Sequence, residues 1–306
     1  ICFVIYCRCL SKFIARCHHC GDHKFGDRIS FVDDHFQKSM EVKIKVLFFQ
    51  PALPNYREAF FSGLKEFIDV KIHYGRRSPE GVFSSSYSWS YGPPDGQWKK
   101  ILKLPIFWQK AAIKRYFIEK PDIVVLCGNF RNISNLLLIL LCRINRTKVI
   151  WWGHSSRLFA DKGILGLVSR GIFAWVDGFC CYTDSEKTKV KKHLSCRTKV
   201  FSINNTIDEQ KILPFVDLNL LLGPEVRLLF IGRVSPKSNL LQYLEVLEQK
   251  FAFRPDWRLD IIGRCDNELP KLFPNLFSNG RVVAHGELYA EREISKIANL
   301  CSYFFY

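Results

Sequence analysis

The sequence predicts an α/β protein built from parallel sheets and split into two domains. Three observations predict it. Apolar residues make up 48% of the 306 positions, in strand-like runs that alternate with helix-like segments. Several runs, including Val46–Phe49, the Ile-Val-Val-Leu after Asp122 and Leu228–Ile231, are unbroken, as in strands buried on both faces. The length suits two domains.

The first clear strand is Val42 to Gln50. A Pro-containing loop follows, and then Asn55-Tyr56-Arg57-Glu58, where Asn55 and Glu58 fit a capping box. The helix behind it carries Ala59, Phe60, Leu64 and Phe67 on one face, so the opening is Rossmann-like. Val70–Tyr74 reads as the second strand and residues 78–97 as a long loop. Trp98 to Lys120 interleaves cations with apolar residues, and Pro105 prevents one uninterrupted helix. It reads either as a basic amphipathic element on an anionic membrane or as a core-packing helix with a solvated face. Strands are expected at 122–127, 148–152, 178–182 and 199–203, with helices at 132–144 and 163–173 and after Thr183. That last helix bears Lys187, Lys189, Lys191 and Lys192.

Residues 214–224 read as a linker, which makes 40–213 the first domain and 225–306 the second. The second opens on Arg227–Lys237. Leu228–Ile231 is a buried strand, Gly232 ends it, and Arg233 and Lys237 follow in the loop before a helix that Ser238 can cap. Ligands of open α/β sheets bind at the carboxyl ends of strands. Two cations beside a helix N-terminus there favour a diphosphate. The plain alternative is a pair of surface cations. Further strands are expected at 257–262, 282–284 and 302–306, with a helix at 291–300.

Residues 1–39 crowd Cys, His and charge without a steady period. Met40 is the only Met, and we read it as the native start and 1–39 as a non-native or disordered leader. Cys17, His18, His19 and Cys20 invite a zinc reading, but nothing else in the segment supplies a well-spaced ligand set. Twelve Cys are scattered, many in apolar runs, which suits a reducing compartment. No apolar run reaches the length of a membrane span, and the first residues do not read as a signal peptide. A net charge of +16 calls for an anionic partner without choosing among nucleic acid, anionic lipid and phosphorylated substrate. No nucleic-acid motif and no Gly-x-Gly-x-x-Gly fingerprint is present.

The Gly232-Arg233 strand end with Lys237 after it, the Tyr56-Arg57 opening and a His directly after the 148–152 strand resemble the retaining nucleotide-sugar glycosyltransferases of glycosyltransferase family 4. The resemblance spans Val42 to Tyr306. It implies a GT-B fold, two Rossmann-like domains facing a cleft, here with the second incomplete. It implies sugar transfer from a nucleotide sugar to an acceptor hydroxyl on a glycan or lipid-linked molecule, with retained configuration, as in polysaccharide biosynthesis. By the same resemblance Arg233 and Lys237 hold the donor diphosphate with Gly232, while Gly263, Arg264 and Gly286 border the nucleotide. His154 is the catalytic candidate beside the donor sugar. Asn55, Tyr56, Arg57 and Asn205 line the acceptor side; Arg57 reads equally as a helix-surface cation. The expected partners are a nucleotide sugar, its acceptor and an anionic membrane surface, without nucleic acid. The expected location is cytoplasmic, peripheral on the inner membrane face. No cofactor or metal is expected. The chain departs from the family in having Ser238 and Asn239 after Lys237, no Gly-Gly pair after the first strand and no closely spaced Glu pair near its end. On that ground the chain alone is expected to be inactive. The alternative is a degenerate, non-catalytic relative that binds an anionic lipid or polysaccharide surface.

Overall fold

The computed structural model describes residues 43–75, 96–101, 104–154, 163–194, 198–203, 213–217, 225–232, 234, 239–264 and 268–305. They fall into two units, divided between Ile207 and Asp208.

The first unit is a parallel sheet flanked by helices. Its elements are β1 (Lys45–Gln50), α1 (Glu58–Leu64), β2 (Asp69–Tyr74), β3 (Gly96–Ile101), β4 (Leu104–Gln109), α2 (Ala112–Glu119), β5 (Ile123–Cys127), α3 (Ile133–Ile144), β6 (Lys148–Trp152), α4 (Ile164–Phe173), β7 (Gly178–Cys181), α5 (Asp184–Lys191) and β8 (Lys199–Ser202). The strand order is β2-β1-β5-β6-β7-β8, with every pairing parallel. β1 is buried on both faces because its apolar run has no polar alternation. Val46 and Phe48 face a layer holding Phe60, Phe61 and Leu64 of α1. Leu47 and Phe49 face the opposite layer, with Tyr116 of α2 and Leu138, Ile139 and Cys142 of α3. Each such side chain contributes roughly 1.5–3 kcal/mol on burial. Asp residues ahead of two strands tie the neighbouring strand's first turn. Asp122 accepts from the Lys45 amide at 2.9 Å, and Asp177 accepts from Val149 at 2.9 Å.

Two local expectations are corrected. The segment from Trp98 is a β-hairpin followed by a helix, not an interrupted amphipathic helix. β3 and β4 pair antiparallel, with Pro105 opposite Lys100, and residues 96–97 belong to the strand instead of the loop. A two-stranded ribbon tolerates Pro105, because an edge strand does not need every amide. The capping box is the second correction. A 3-10 turn at Asn55–Arg57 shifts the helix start, so Glu58 is its first residue. Arg57 stands at the N-cap with no capping side-chain bond.

The second unit contains β9 (Val226–Ile231), α6 (Leu240–Lys250), β10 (Trp257–Ile262), the short helices α7 (Leu269–Leu272) and α8 (Pro274–Ser278), β11 (Val282–Gly286), α9 (Glu291–Ala298) and β12 (Tyr303–Phe305). Its parallel order is β11-β10-β9-β12. The reading of the sequence missed α7 and α8, each barely a turn long. Asn239, in the left-handed region at φ 55°, occupies the N-cap of α6 without a side-chain bond. Ser238 lies outside the described residues. One face of this sheet packs Phe230, Trp257, Leu259 and Ile261 against Leu240, Leu244 and Leu276.

The other face carries charge. Asp260, wholly buried, accepts from Arg227 Nη2 at 2.9 Å and meets His285 Nε2 at 2.8 Å, with Arg258 Nη2 3.5 Å away. Burial alone would raise its pKa. Hydrogen bonds from His285 and Arg227 and the charge of Arg258 outweigh burial and hold the carboxyl below its usual range. In the first unit His73 is buried and stacked on Phe49 at 5.7 Å. Burial, and then the charge of Arg115, push its imidazole down to about 4.

These two groups give acid sensitivity in two windows. A depressed His keeps its full contribution above the unfolded value of about 6.5. That contribution is lost as pH falls from there toward about 4. A depressed Asp keeps its contribution above the unfolded value of about 3.9 and loses it below, through the folded value. Urea melts at a series of pH values are expected to show a first loss that His73→Phe reduces. Asp260→Asn is expected to destabilise the second unit by about 3–5 kcal/mol at neutral pH, since it breaks a buried ionic cluster.

Candidate functional site

In the second sheet the chain leaves β9 for β10 and β11 on one side and returns to β12 on the other. The carboxyl end of β9 is therefore a topological switch point, where open α/β sheets take ligands. Gly232 sits there. Its amide donates to Ile262 at 2.9 Å, and the Gly263 amide donates to Gly286 at 2.7 Å. Three of the glycines singled out from the sequence thus close adjacent strands side by side. Gly263, at φ 136°, admits no other residue, because a Cβ would collide with the Gly232 carbonyl. Gly286 is also left-handed, at φ 75°. Bare backbone at a switch point allows a ligand to approach closely. Val234 donates to the Arg264 carbonyl at 3.1 Å, so the loops after β9 and β10 run together, with Arg264 exposed. Arg233 and Lys237 lie outside the described residues, between that glycine edge and the start of α6.

The first sheet has its own switch point between β1 and β5. Arg57 comes back over the end of β1. Its Nη1 donates to Gln50 Oε1 at 2.7 Å and its Nη2 to the Tyr182 hydroxyl at 3.0 Å. The guanidinium lies 4.7 Å from the Trp152 ring and 5.8 Å from that of Tyr56. Both contacts are within cation–π range. Tyr182 is pushed up to about 12, by burial first, so it is a neutral phenol near pH 7. Tyr56 is exposed. Asn55 forms the 3-10 turn, with its side chain outside the described residues, as is all of Asn205.

His154 follows β6 at the same edge. Its ring is largely exposed, with Nδ1 3.2 Å from Glu186 Oε2, and it lies 4.6 Å from the Tyr182 ring. Glu186 is buried at the start of α5 and is fixed twice over. Its amide donates to the Thr183 hydroxyl at 3.1 Å, and its carboxylate accepts from the Tyr182 amide at 3.4 Å. Thr183 thus caps α5, and the Glu186 carboxylate reaches back one residue beyond the cap. Glu186 as the partner of His154 was missed, because its capping role accounts for it locally. Tyr182, Gln50 and Trp152 were missed as well. The available signal was position, since each ends or directly follows a parallel strand. His154, Arg57 and Tyr182 meet in one cluster; Gly232, Gly263, Gly286 and Arg264 form another in the second unit.

Among the described residues no group of three or more His, Cys, Asp or Glu could hold a metal ion. Nor is any helix there long and apolar enough to cross a membrane. The segment with Cys17 and Cys20 lies outside the described residues.

No protein-family model matches the sequence. No curated protein matches it. Solved structures do. A co-structure of S. aureus MnaA with UDP aligns at a TM-score of 0.50 and 12% identity, over 86% of this chain and 74% of that one. The UDP-GlcNAc 2-epimerase of Methanocaldococcus jannaschii aligns at 0.49 and 16%, over 85% and 78%. The apo form of the lipopolysaccharide outer core galactosyltransferase WaaB aligns at 0.47 and 13%, over 85% and 73%. At such identities the likeness is one of fold. Together with the two parallel sheets it gives the fold as α/β of the GT-B class, with two Rossmann-like units.

Proposed function

We propose that the protein is a glycosyltransferase of the family 4 kind, moving a hexose from a nucleotide-diphosphate sugar to an acceptor hydroxyl with retention. The observation that carries this reading is the glycine edge Gly232–Gly263–Gly286 at the switch point of the second sheet, with Arg233 and Lys237 directly after it in sequence. A diphosphate needs close backbone approach and fixed positive charge, and that stretch supplies both. In the reaction the bond from C1 of the sugar to the diphosphate breaks, and its electron pair leaves with the nucleoside diphosphate. The acceptor oxygen bonds C1 on the same face, and its proton ends on the departing phosphate. Arg233 and Lys237 meet the charge that develops on the leaving group. His154, held through Nδ1 by Glu186, positions the transferred sugar, and Arg57 serves the acceptor. The chemistry calls for no cofactor beyond the donor itself.

The test is release of UDP or GDP from a panel of nucleotide sugars in the presence of glycan and lipid-linked acceptors. It is run on the native protein from its own cells, alongside the 306-residue chain. Changing Arg233 and Lys237 together to Ala is expected to lower turnover at least ~100-fold, from two lost charge-assisted contacts in the transition state. Turnover that survives this double change would sink the reading.

A second reading, a non-catalytic relative seated on anionic lipid, draws on one surface of the first unit. Ile133, Leu140 and Ile144 of α3 face outward, as do Phe117 and Ile118 of the adjacent α2. Lys114, Lys120, Arg143 and Arg146 are exposed on the same pair of helices and the residues that end them. Apolar residues ringed by cations suit the headgroup layer of an anionic bilayer. A transferase with a lipid-linked acceptor, peripheral on the inner membrane face, would use the same surface, so turnover separates the two readings. Vesicles containing phosphatidylglycerol are expected to co-sediment the protein, less so as salt rises. The change Leu140→Glu with Ile144→Glu is expected to weaken this about tenfold or more, since two buried apolar contacts are lost. Equal sedimentation of the variant would remove the membrane from either reading.

A further inference from the structure

Several partly buried cations among the described residues are paired with carboxylates. Lys148 meets Asp177 at 3.2 Å, Arg227 and Arg258 meet Asp260 at 2.9 and 3.5 Å, and Arg281 meets Glu225 at 3.7 Å. Arg57 is different. It is half-buried at the carboxyl edge of the first sheet, and its two hydrogen-bonded partners, Gln50 and Tyr182, are both neutral. Among the described residues no carboxylate reaches it. Two of its five N–H groups are donated, and the rest remain for a ligand.

The surrounding wall has the same bias. Gln50 Nε2 and Trp152 Nε1 are buried donors with no hydrogen-bond partner among the described residues. Trp152 belongs to this layer of the core, and Gln50 alternates onto the same face as Phe48. An excess of donors around an unpaired guanidinium is costly unless an acceptor completes it. Packing alone does not explain the charge, because Met or Leu would cover Trp152 as well. The guanidinium lies near the rings of Trp152 and Tyr56, and its planar fork suits bidentate contact with a planar or tetrahedral oxyanion.

We propose that Arg57 anchors an oxyanion, a carboxylate or a phosphate, carried by the acceptor. Calling the ligand the acceptor rests on the glycosyltransferase reading; the oxyanion site itself does not. The acceptor is thus an acidic sugar or a phosphorylated one, and a neutral sugar is a poor substrate. The attacking hydroxyl belongs near His154, which contacts the same Tyr182 side chain as Arg57.

The experiment is calorimetric titration of the 306-residue chain at constant ionic strength. The probes are glucuronate, glucose 6-phosphate and glucose, and UDP is titrated on the same samples. One of the two charged sugars is expected to bind saturably and at least about tenfold more tightly than glucose. The arm that binds distinguishes carboxylate from phosphate. Arg57→Gln is expected to remove that preference and Arg57→Lys to weaken it, whereas the exposed control Lys250→Gln leaves it unchanged. If Arg57→Gln does not fold by circular dichroism, Arg57→Lys decides, and wild-type affinity in that variant overturns the proposal. Binding of neither anion above glucose, or equal binding by wild type and Arg57→Gln, also overturns it. Loss of UDP binding in Arg57→Gln would assign the oxyanion to the donor and overturn its assignment to the acceptor. Failure of the native protein from its own cells, titrated in parallel, to bind UDP while it still binds the charged sugar would overturn the glycosyltransferase reading and leave the oxyanion site standing.

Discussion

A parallel strand has one carboxyl end, and neighbouring parallel strands share that end along one edge of the sheet. Wherever the strand order turns back, the loops on either side diverge and leave a gap over the backbone. The described residues show two such points, after β1 in the first unit and after β9 in the second. Each collects side chains far apart in sequence. Gln50, Arg57, Trp152, His154 and Tyr182 gather in one, and Gly232, Gly263 and Gly286 in the other. Sheet topology determines which residues meet, and side-chain chemistry then decides what the meeting place can hold.

The two edges differ in how they offer themselves. In the second unit the glycines strip the edge to backbone, whose Gly232 and Gly263 amides are already tied to the neighbouring strand ends. In the first unit bulky aromatics fill the edge beside a guanidinium that Gln50 and Tyr182 anchor. Close approach without side chains suits a linear, polyanionic group. A fork anchored beside rings suits a single headgroup whose orientation matters.

Most of the scaffold was legible because it is written in runs. β1 and β5 are unbroken apolar segments buried on both faces, whereas the equally apolar Leu228–Ile231 of β9, expected to be buried throughout, leaves Ile231 exposed at the strand end. Glycines and the His after β6 could be placed at strand ends for the same reason. Three things were not legible. The β3–β4 hairpin has cations through its strands, so its period-2 pattern was hidden behind a helix-like spacing, and Pro105 read as a helix breaker. The start of α1 depends on a 3-10 turn, which shares its residue preferences with an N-cap. The pairs Arg57–Tyr182 and His154–Glu186 are 125 and 32 residues apart, and no local pattern reports such meetings.

The Asp260 cluster bears on how the second unit finds its strand order. Arg227, Asp260 with Arg258, and His285 stand on three neighbouring strands, so the cluster is complete only when β10 lies between β9 and β11. An apolar patch would forgive a misthreaded strand, because one aliphatic side chain packs against another almost interchangeably. A fully buried carboxylate without its cations would not be tolerated. Breaking the cluster is therefore costly in a way that losing one aliphatic contact is not, and its three-strand composition favours this strand order over the alternatives.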